Sequence, residues 1–206
     1  MSEQYFHADP QSAHNLKSLR LQFQGSDFQF ETDAGVFSKD GLDEGTSLLL
    51  ETSLPYLEGR VLDLGCGWGA AGIITARLKP GCRVVMTDIN SRAVELAGKN
   101  ITLNRVQAEV SCGDGFQAVQ GDFNWILLNP PIRAGKQTIY EMFRESAGRL
   151  HPGGCLAIVI RKQQGALSAK KYLDSLFQQA ELAHRKKGYH IYFCRRGKHE
   201  LRPGVF

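Results

Sequence analysis

A short apolar strand, Arg60-Val61-Leu62-Asp63-Leu64, runs into the glycine-rich turn Gly65-Cys66-Gly67-Trp68-Gly69 and then into helix-forming residues from Ala70. A strand–turn–helix unit of this kind opens a parallel α/β sheet and leaves little room for an all-β or all-α alternative. The following residues repeat the alternation. Apolar runs at 60–64, 82–87, 107–112, 124–128 and 155–160 are separated by helical candidates at 69–78, 91–104, 136–150 and 168–179. Two of the runs, Trp125-Ile126-Leu127-Leu128 and Leu156-Ala157-Ile158-Val159-Ile160, are apolar at every position. A strand without alternation is buried on both faces, as in a sheet with helices on either side. Two further strands, near 181–186 and 189–195, flank Gly188, and so short a link requires antiparallel pairing.

Upstream, Leu19, Leu21 and Phe23 alternate with polar residues, and Phe28 and Phe30 do so again after Gly25-Ser26. This predicts a β-hairpin over 17–31, preceded by an irregular, polar lead-in with His7, Asp9, Pro10 and Asn15. A helix capped near Asp43 or Thr46 carries Leu48, Leu49 and Leu50 until Pro55 stops it. The chain therefore reads as one doubly wound, mostly parallel seven-stranded α/β domain with an antiparallel C-terminal strand. Residues 1–34 form an extension with the hairpin, and 35–206 form the main domain.

Glycine is abundant, 22 of 206 residues, as a fold with many tight turns needs. Cys66, Cys82, Cys112, Cys155 and Cys194 are odd in number and share no metal-ligand spacing. They read as buried thiols of a reducing compartment, with no metal site. The N-terminus has neither the basic nor the apolar region of a signal peptide, and no apolar run approaches membrane-spanning length. A soluble, cytoplasmic chain is expected. The charge is uneven: residues 161–206 hold 11 Lys and Arg against 3 Asp and Glu, leaving 14 basic and 18 acidic residues before them. A basic C-terminal quarter suits a polyanion, nucleic acid above all, or else is a solvated face.

The glycine turn would let a ligand approach the backbone at a helix N-terminus. Gly65, Gly67 and Ala70 satisfy the loose dinucleotide pattern, but Asp63 would repel a pyrophosphate and suit a cation such as S-adenosylmethionine. Asp88 ends the next strand, placed for ribose hydroxyls, and Asp114 follows the third strand in Gly113-Asp114-Gly115. Ile89 and Gly115, beside these acids, are assigned with Cys66, Thr46 and Asn129 to the same cofactor site. After the fourth strand comes Asn129-Pro130-Pro131-Ile132-Arg133-Ala134-Gly135-Lys136. Pro130 biases Asn129 toward extended backbone, and neither proline has an N–H, so acceptors outnumber donors there. Such a loop suits a planar amine, whose two hydrogens it can hold while the lone pair faces an incoming methyl group.

Asp63-Leu64-Gly65-Cys66-Gly67-Trp68-Gly69, with Asp88 and Asp114, resembles the cofactor motifs of class I S-adenosylmethionine-dependent methyltransferases. Asn129 to Lys136 is similar to the catalytic loop of the 16S rRNA guanine-N2 methyltransferase family. So are Gly35-Val36-Phe37-Ser38-Lys39-Asp40-Gly41-Leu42-Asp43-Glu44-Gly45-Thr46 and Val159 to Ala166. The resemblance spans about residues 35–195 and implies that Asn129, with Pro130 and Pro131, is catalytic and that Phe37 and Thr46 line the pocket. Longer members carry a second, degenerate N-terminal domain, so this chain looks like a small stand-alone form. Ile132 departs from the aromatic residue that adenine-N6 and glutamine-N5 enzymes place there. Arg133, Lys136, Arg161 and Lys162 are expected around the mouth as RNA phosphate contacts, with Ile132 and Phe37 at the substrate. The expected partner is ribosomal RNA or the small subunit. Glutamine-N5 methylation of a protein, a non-catalytic RNA-binding role and a dehydrogenase are the alternatives.

Overall fold

The structure, a computed structural model, describes residues 13–197. Strands β1 (Lys17–Phe23) and β2 (Ser26–Thr32) form a separate antiparallel hairpin. Helix α1 (Glu44–Ser53) starts at the Asp43 cap and gives way to a 3-10 turn containing Pro55. Then follow β3 (Arg60–Leu64), α2 (Ala70–Leu78), β4 (Arg83–Asp88), α3 (Ser91–Asn104), β5 (Ala108–Cys112) and β6 (Phe123–Leu128). The rest is α4 (Lys136–Gly148), β7 (Leu150–Arg161), α5 (Ala166–Leu176), β8 (Gln179–Lys186) and β9 (Tyr189–Arg195). Seven strands make one sheet in the order β5-β4-β3-β6-β7-β9-β8, with β9 antiparallel to both its neighbours. This is the doubly wound α/β architecture expected from the sequence.

The two-sided strands divide their side chains between two cores. Val61, Met86, Leu127, Ala157 and Val159 face α1, α2 and α3, while Leu62, Leu64, Ile126, Leu128 and Ile158 face α4 and α5. Parallel register does the positioning. Leu64 pairs with Thr87 on one side and Leu128 on the other, so β3, β4 and β6 end together. The residues that follow (Gly65, Asp88 and Asn129) therefore share one sheet edge.

The hairpin is fastened to this core by two asparagines one turn apart on α3. Asn100 accepts the Glu31 N–H at 2.7 Å and donates to the Glu31 carbonyl at 2.9 Å; Asn104 does the same for Gln29 at 3.1 and 2.6 Å. Residues i and i+2 of a strand lie about 6.6 Å apart and i and i+4 of a helix about 6 Å, so the two ladders match. Asn100 also donates to the Trp68 carbonyl at 2.8 Å, tying the hairpin to the glycine turn.

Three expectations need correction. Strand β7 starts at Leu150, not 155: its register shifts between Phe123 and Trp125, and a Cβ on Gly154 would come within 2.9–3.1 Å of three carbonyl oxygens. His151-Pro152-Gly153-Gly154, which falls between the expected helix and strand, forms a glycine-dependent bulge. Helix α5 ends at Leu176 because Phe177 turns extended and buries its ring, which frees Gln179 to start β8. Of the cysteines, Cys66, Cys155 and Cys194 are buried, but Cys82 is half-buried and Cys112, at the end of edge strand β5, is exposed. The lead-in around His7, Asp9 and Pro10 lies outside the described residues. Among the described residues no helix is long and apolar enough to cross a membrane.

Asn100 is wholly buried, and its removal strands backbone groups of both Glu31 and Trp68. Asn100→Ala should therefore lose about 1–3 kcal/mol of stability in urea unfolding, the usual cost of an unpaired buried polar group. A loss within measurement error would show that the hairpin is not held this way.

Candidate active site

The glycine turn is held by its neighbours' backbone and by two carboxylates. Gly65 and Cys66 both donate their N–H to the Thr87 carbonyl, at 2.8 and 3.0 Å. Asp88 accepts the Gly67 N–H at 2.8 Å and the Asn90 N–H at 2.9 Å. Asp63 reaches under the turn to accept the N–H of Gly72, in the first turn of α2, at 2.8 Å. It thus satisfies a helix N-terminal donor that Gly69, which has no side chain, cannot cap. Gly65 and Gly67 adopt φ of +74° and +55°, and a Cβ on either would meet nothing within 4 Å. The turn therefore borders open space, as a ligand cradle must.

Burial dominates the electrostatics. Desolvation pushes the Asp63 carboxyl up to about 7, with the Gly72 N–H opposing and the nearby Asp88 charge reinforcing the rise. Burial likewise raises Asp88 against the Asn90 and Gly67 N–H groups, and pushes the Cys66 thiol well above the usual thiol range.

Two cavities meet at this edge. The larger, about 900 Å³ including its open mouth, is lined by Gly65, Gly67, Asp88, Ile89, Asp114, Gly115, Asn129, Pro130 and Pro131. Ala134 of the Asn129 loop lines it too, as do Asn90, Ala93, Thr138 and Met142, which no motif signalled. The smaller, about 490 Å³, holds Asp43, Thr46, Asp63, Cys66 and Trp68. Phe37, Gly65, Gly67 and Asn129 line both. Phe37 is brought there by a strap whose backbone carbonyls are anchored to the core: the Trp68 indole N–H donates to the Phe37 carbonyl, and Asn90 donates to that of Gly35.

Asn129 donates its amide hydrogens to Asp43 Oδ2 and to Thr46 Oγ1, each at 2.9 Å. Asp43 was legible as a helix cap, but its contact with a residue 86 positions away had no local signal. Ile132 lines neither cavity; it leaves the loop on a 3-10 turn and packs against the core beneath α4 and α5. Arg133 and Lys136 follow on that exposed turn and the start of α4. Arg161 and Lys162 sit at the end of β7, where the Arg161 guanidinium lies 4.6 Å over the Tyr189 ring and donates to its hydroxyl at 2.7 Å. These four cations surround the edge without lining either cavity. Glu145 of α4, also unsignalled, lies against Gly115, and burial raises its carboxyl.

Asp43, Asp63, Asp88 and Asp114 line the two cavities with no ion-pair partner among the described residues. Acids left without cations fit a ligand that brings its own positive charge, as S-adenosylmethionine does with its sulfonium and ammonium groups. A pyrophosphate, with no positive charge of its own, would not be tolerated as well. Fold, glycine turn and acids together define a class I S-adenosylmethionine-dependent methyltransferase. The chain belongs to the methyltransferase small domain family, which it matches over residues 27–193. It is 40% identical over 195 residues to the uncharacterized protein YbxB of Bacillus subtilis, covering 93% of this chain and 97% of that one. It is 32% identical over 185 residues to ribosomal RNA small subunit methyltransferase C of Cronobacter sakazakii, covering 88% of this chain and 53% of the relative. Among solved structures, a Thermus thermophilus 16S rRNA N2 G1207 methyltransferase, in complex with AdoMet and guanosine, superposes with a TM-score of 0.80 at 25% identity. That match covers 88% of this chain and 50% of the other, so the chain spans about half the length of these rRNA methyltransferases.

The Asp63 shift has a measurable consequence. A carboxyl near 3.9 when unfolded and near 7 when folded favours the fold in its protonated form. That contribution is complete below about pH 4 and is lost as pH rises through about 7. Asp63→Asn keeps an acceptor for Gly72 and cannot ionise, so it should gain on the wild type between pH 5 and 8 in thermal unfolding without ligand. Parallel pH profiles would contradict the assignment.

Proposed function

We propose that this chain transfers a methyl group from S-adenosylmethionine to an exocyclic amine of RNA, guanine N2 of small-subunit rRNA, in the cytoplasm. The observation that carries the reading is Asn129-Pro130-Pro131, set where the two cavities join, with Asn129 Oδ1 free of any donor among the described residues. In this reading Thr46, Asp63, Gly65, Cys66, Gly67, Asp88, Ile89, Asp114 and Gly115 hold the cofactor. The smaller, acidic cavity takes its cationic methionine end, and the larger one its adenosine. Phe37, on the wall common to both, faces the target base.

The cofactor supplies an electrophilic methyl group on sulfur. The guanine amine is a poor nucleophile because its lone pair is delocalised into the ring. Asn129 Oδ1 and the Pro130 carbonyl accept its two hydrogens, aim the lone pair at the methyl carbon and favour the positive charge that grows on nitrogen. The surplus proton leaves to water afterwards, so the loop needs no strong base. Arg133, Lys136, Arg161 and Lys162, with the basic β8–β9 turn at the same edge, contact phosphates while the base is turned inward. The family membership and the rRNA methyltransferases among its relatives support the substrate class.

The test is to incubate the protein and heavy-methyl S-adenosylmethionine with unmodified 16S rRNA transcript, and separately with small ribosomal subunits, then digest to nucleosides for mass spectrometry. The heavy label should appear in N2-methylguanosine. Label in another nucleoside, or only in protein glutamine, would refute the proposal.

A further inference from the structure

An asparagine side chain can meet a ligand with its oxygen or with its nitrogen, and only the oxygen accepts a hydrogen from an amine. At Asn129 the choice is fixed by what stands behind it. Asp43 presents a carboxylate, which only accepts. Thr46 spends its hydroxyl hydrogen on Asp43, so toward Asn129 it offers only a lone pair. Both groups lie 2.9 Å from Asn129 Nδ2. Turning the amide over would set its oxygen against a carboxylate oxygen and a hydroxyl lone pair. We infer that Asp43 is a positioning residue for methyl transfer: it locks the Asn129 amide so that Oδ1 faces the cleft, and it thereby selects substrates that present an N–H.

The lock is rigid because Asp43 is itself held. It is the N-cap of α1, where it accepts the Gly45 and Thr46 N–H groups at 2.9 Å each. Its charge also polarises the Asn129 amide, placing more electron density on Oδ1 where the amine becomes positive. A guanine turned so that its O6 or N3 met this wall would face an acceptor and find no hydrogen. Selection of an amine over a carbonyl edge thus comes from a helix cap 86 residues away in sequence.

This inference rests on the proposed role of Asn129, and the cap offers a way to separate the two. Asn caps helices as well as Asp does, so Asp43→Asn keeps α1 while giving position 43 an NH2 that can hold Asn129 either way round. Single-turnover transfer to 16S rRNA transcript, with S-adenosylmethionine raised until it saturates each variant, should slow at least about tenfold, with the RNA affinity changed less than about twofold. Asn129→Asp alone puts two carboxylates in contact and should be slower still. The double variant Asp43→Asn/Asn129→Asp restores one donor facing one acceptor and should recover at least about tenfold over Asn129→Asp. Additive losses, or Asp43→Asn at the wild-type rate, would reduce Asp43 to a cap. A wild type that transfers nothing to RNA would instead count against the substrate reading. A measurement on the unmutated protein guards against misfolded variants: the Asn129 side-chain NH2, assigned by its loss in Asn129→Ala, should exchange with solvent slowly. Exchange at the rate of an exposed asparagine would overturn the lock.

Discussion

Two carboxylates at the ends of β3 and β4, the buried Asp63 and the half-buried Asp88, hold the glycine turn in the shape on which the site depends. Each accepts a backbone N–H that would otherwise be stranded: Gly72 at the start of α2 and Gly67 within the turn. The contacts are close because Gly72 has no Cβ; one placed there would come within 2.3 Å of the Met86 sulfur. Desolvating both acids carries a cost, visible in their raised protonation equilibria. A binding site for a cation can tolerate that cost, because the ligand restores the missing charge. In the proposed reading the same residues shape the turn and set the sign of the ligand.

Around this turn the chain arranges parts distant in sequence. Parallel register brings Asn129 to the edge occupied by Gly65 and Asp88. Asn100 joins the N-terminal hairpin to Trp68 of the turn, and the strap from Asp33 onward is held through carbonyls on Trp68 and Asn90. Phe37 and the α1 cap thus reach the site from the N-terminal side. The hairpin matters here as an anchor for the strap.

Much of this was legible because parallel α/β folds write their cores as continuous apolar runs and their ligand turns as glycine clusters. Both signals are local, and they located β3 to β6, the Asp88 and Asp114 strand ends and the Asn129 loop. What escaped was non-local or disguised. The Asp43–Asn129 contact joins residues far apart, and its visible signal, a helix cap, had a sufficient reason of its own. The bulge at Gly153-Gly154 carried no signal of its own, because the residues that permit a bulge permit a turn equally well. Ile132 looked like a substrate contact by position in a motif, but a 3-10 turn carries an aliphatic side chain back to the core. The cysteines illustrate the limit of composition: apolar neighbours buried Cys155 and Cys194 on inner strands, while Cys112 on an edge strand stayed exposed.

The central claim is that Asn129 acts in the transfer step itself. Its most direct test is the single-turnover rate of Asn129→Ala with cofactor saturating and cofactor affinity measured in parallel by calorimetry. Loss of one preorganised polar group should slow transfer by about 10²–10³ while leaving cofactor binding nearly intact. A rate close to wild type would mean that the loop is scaffolding and that the amine is held elsewhere.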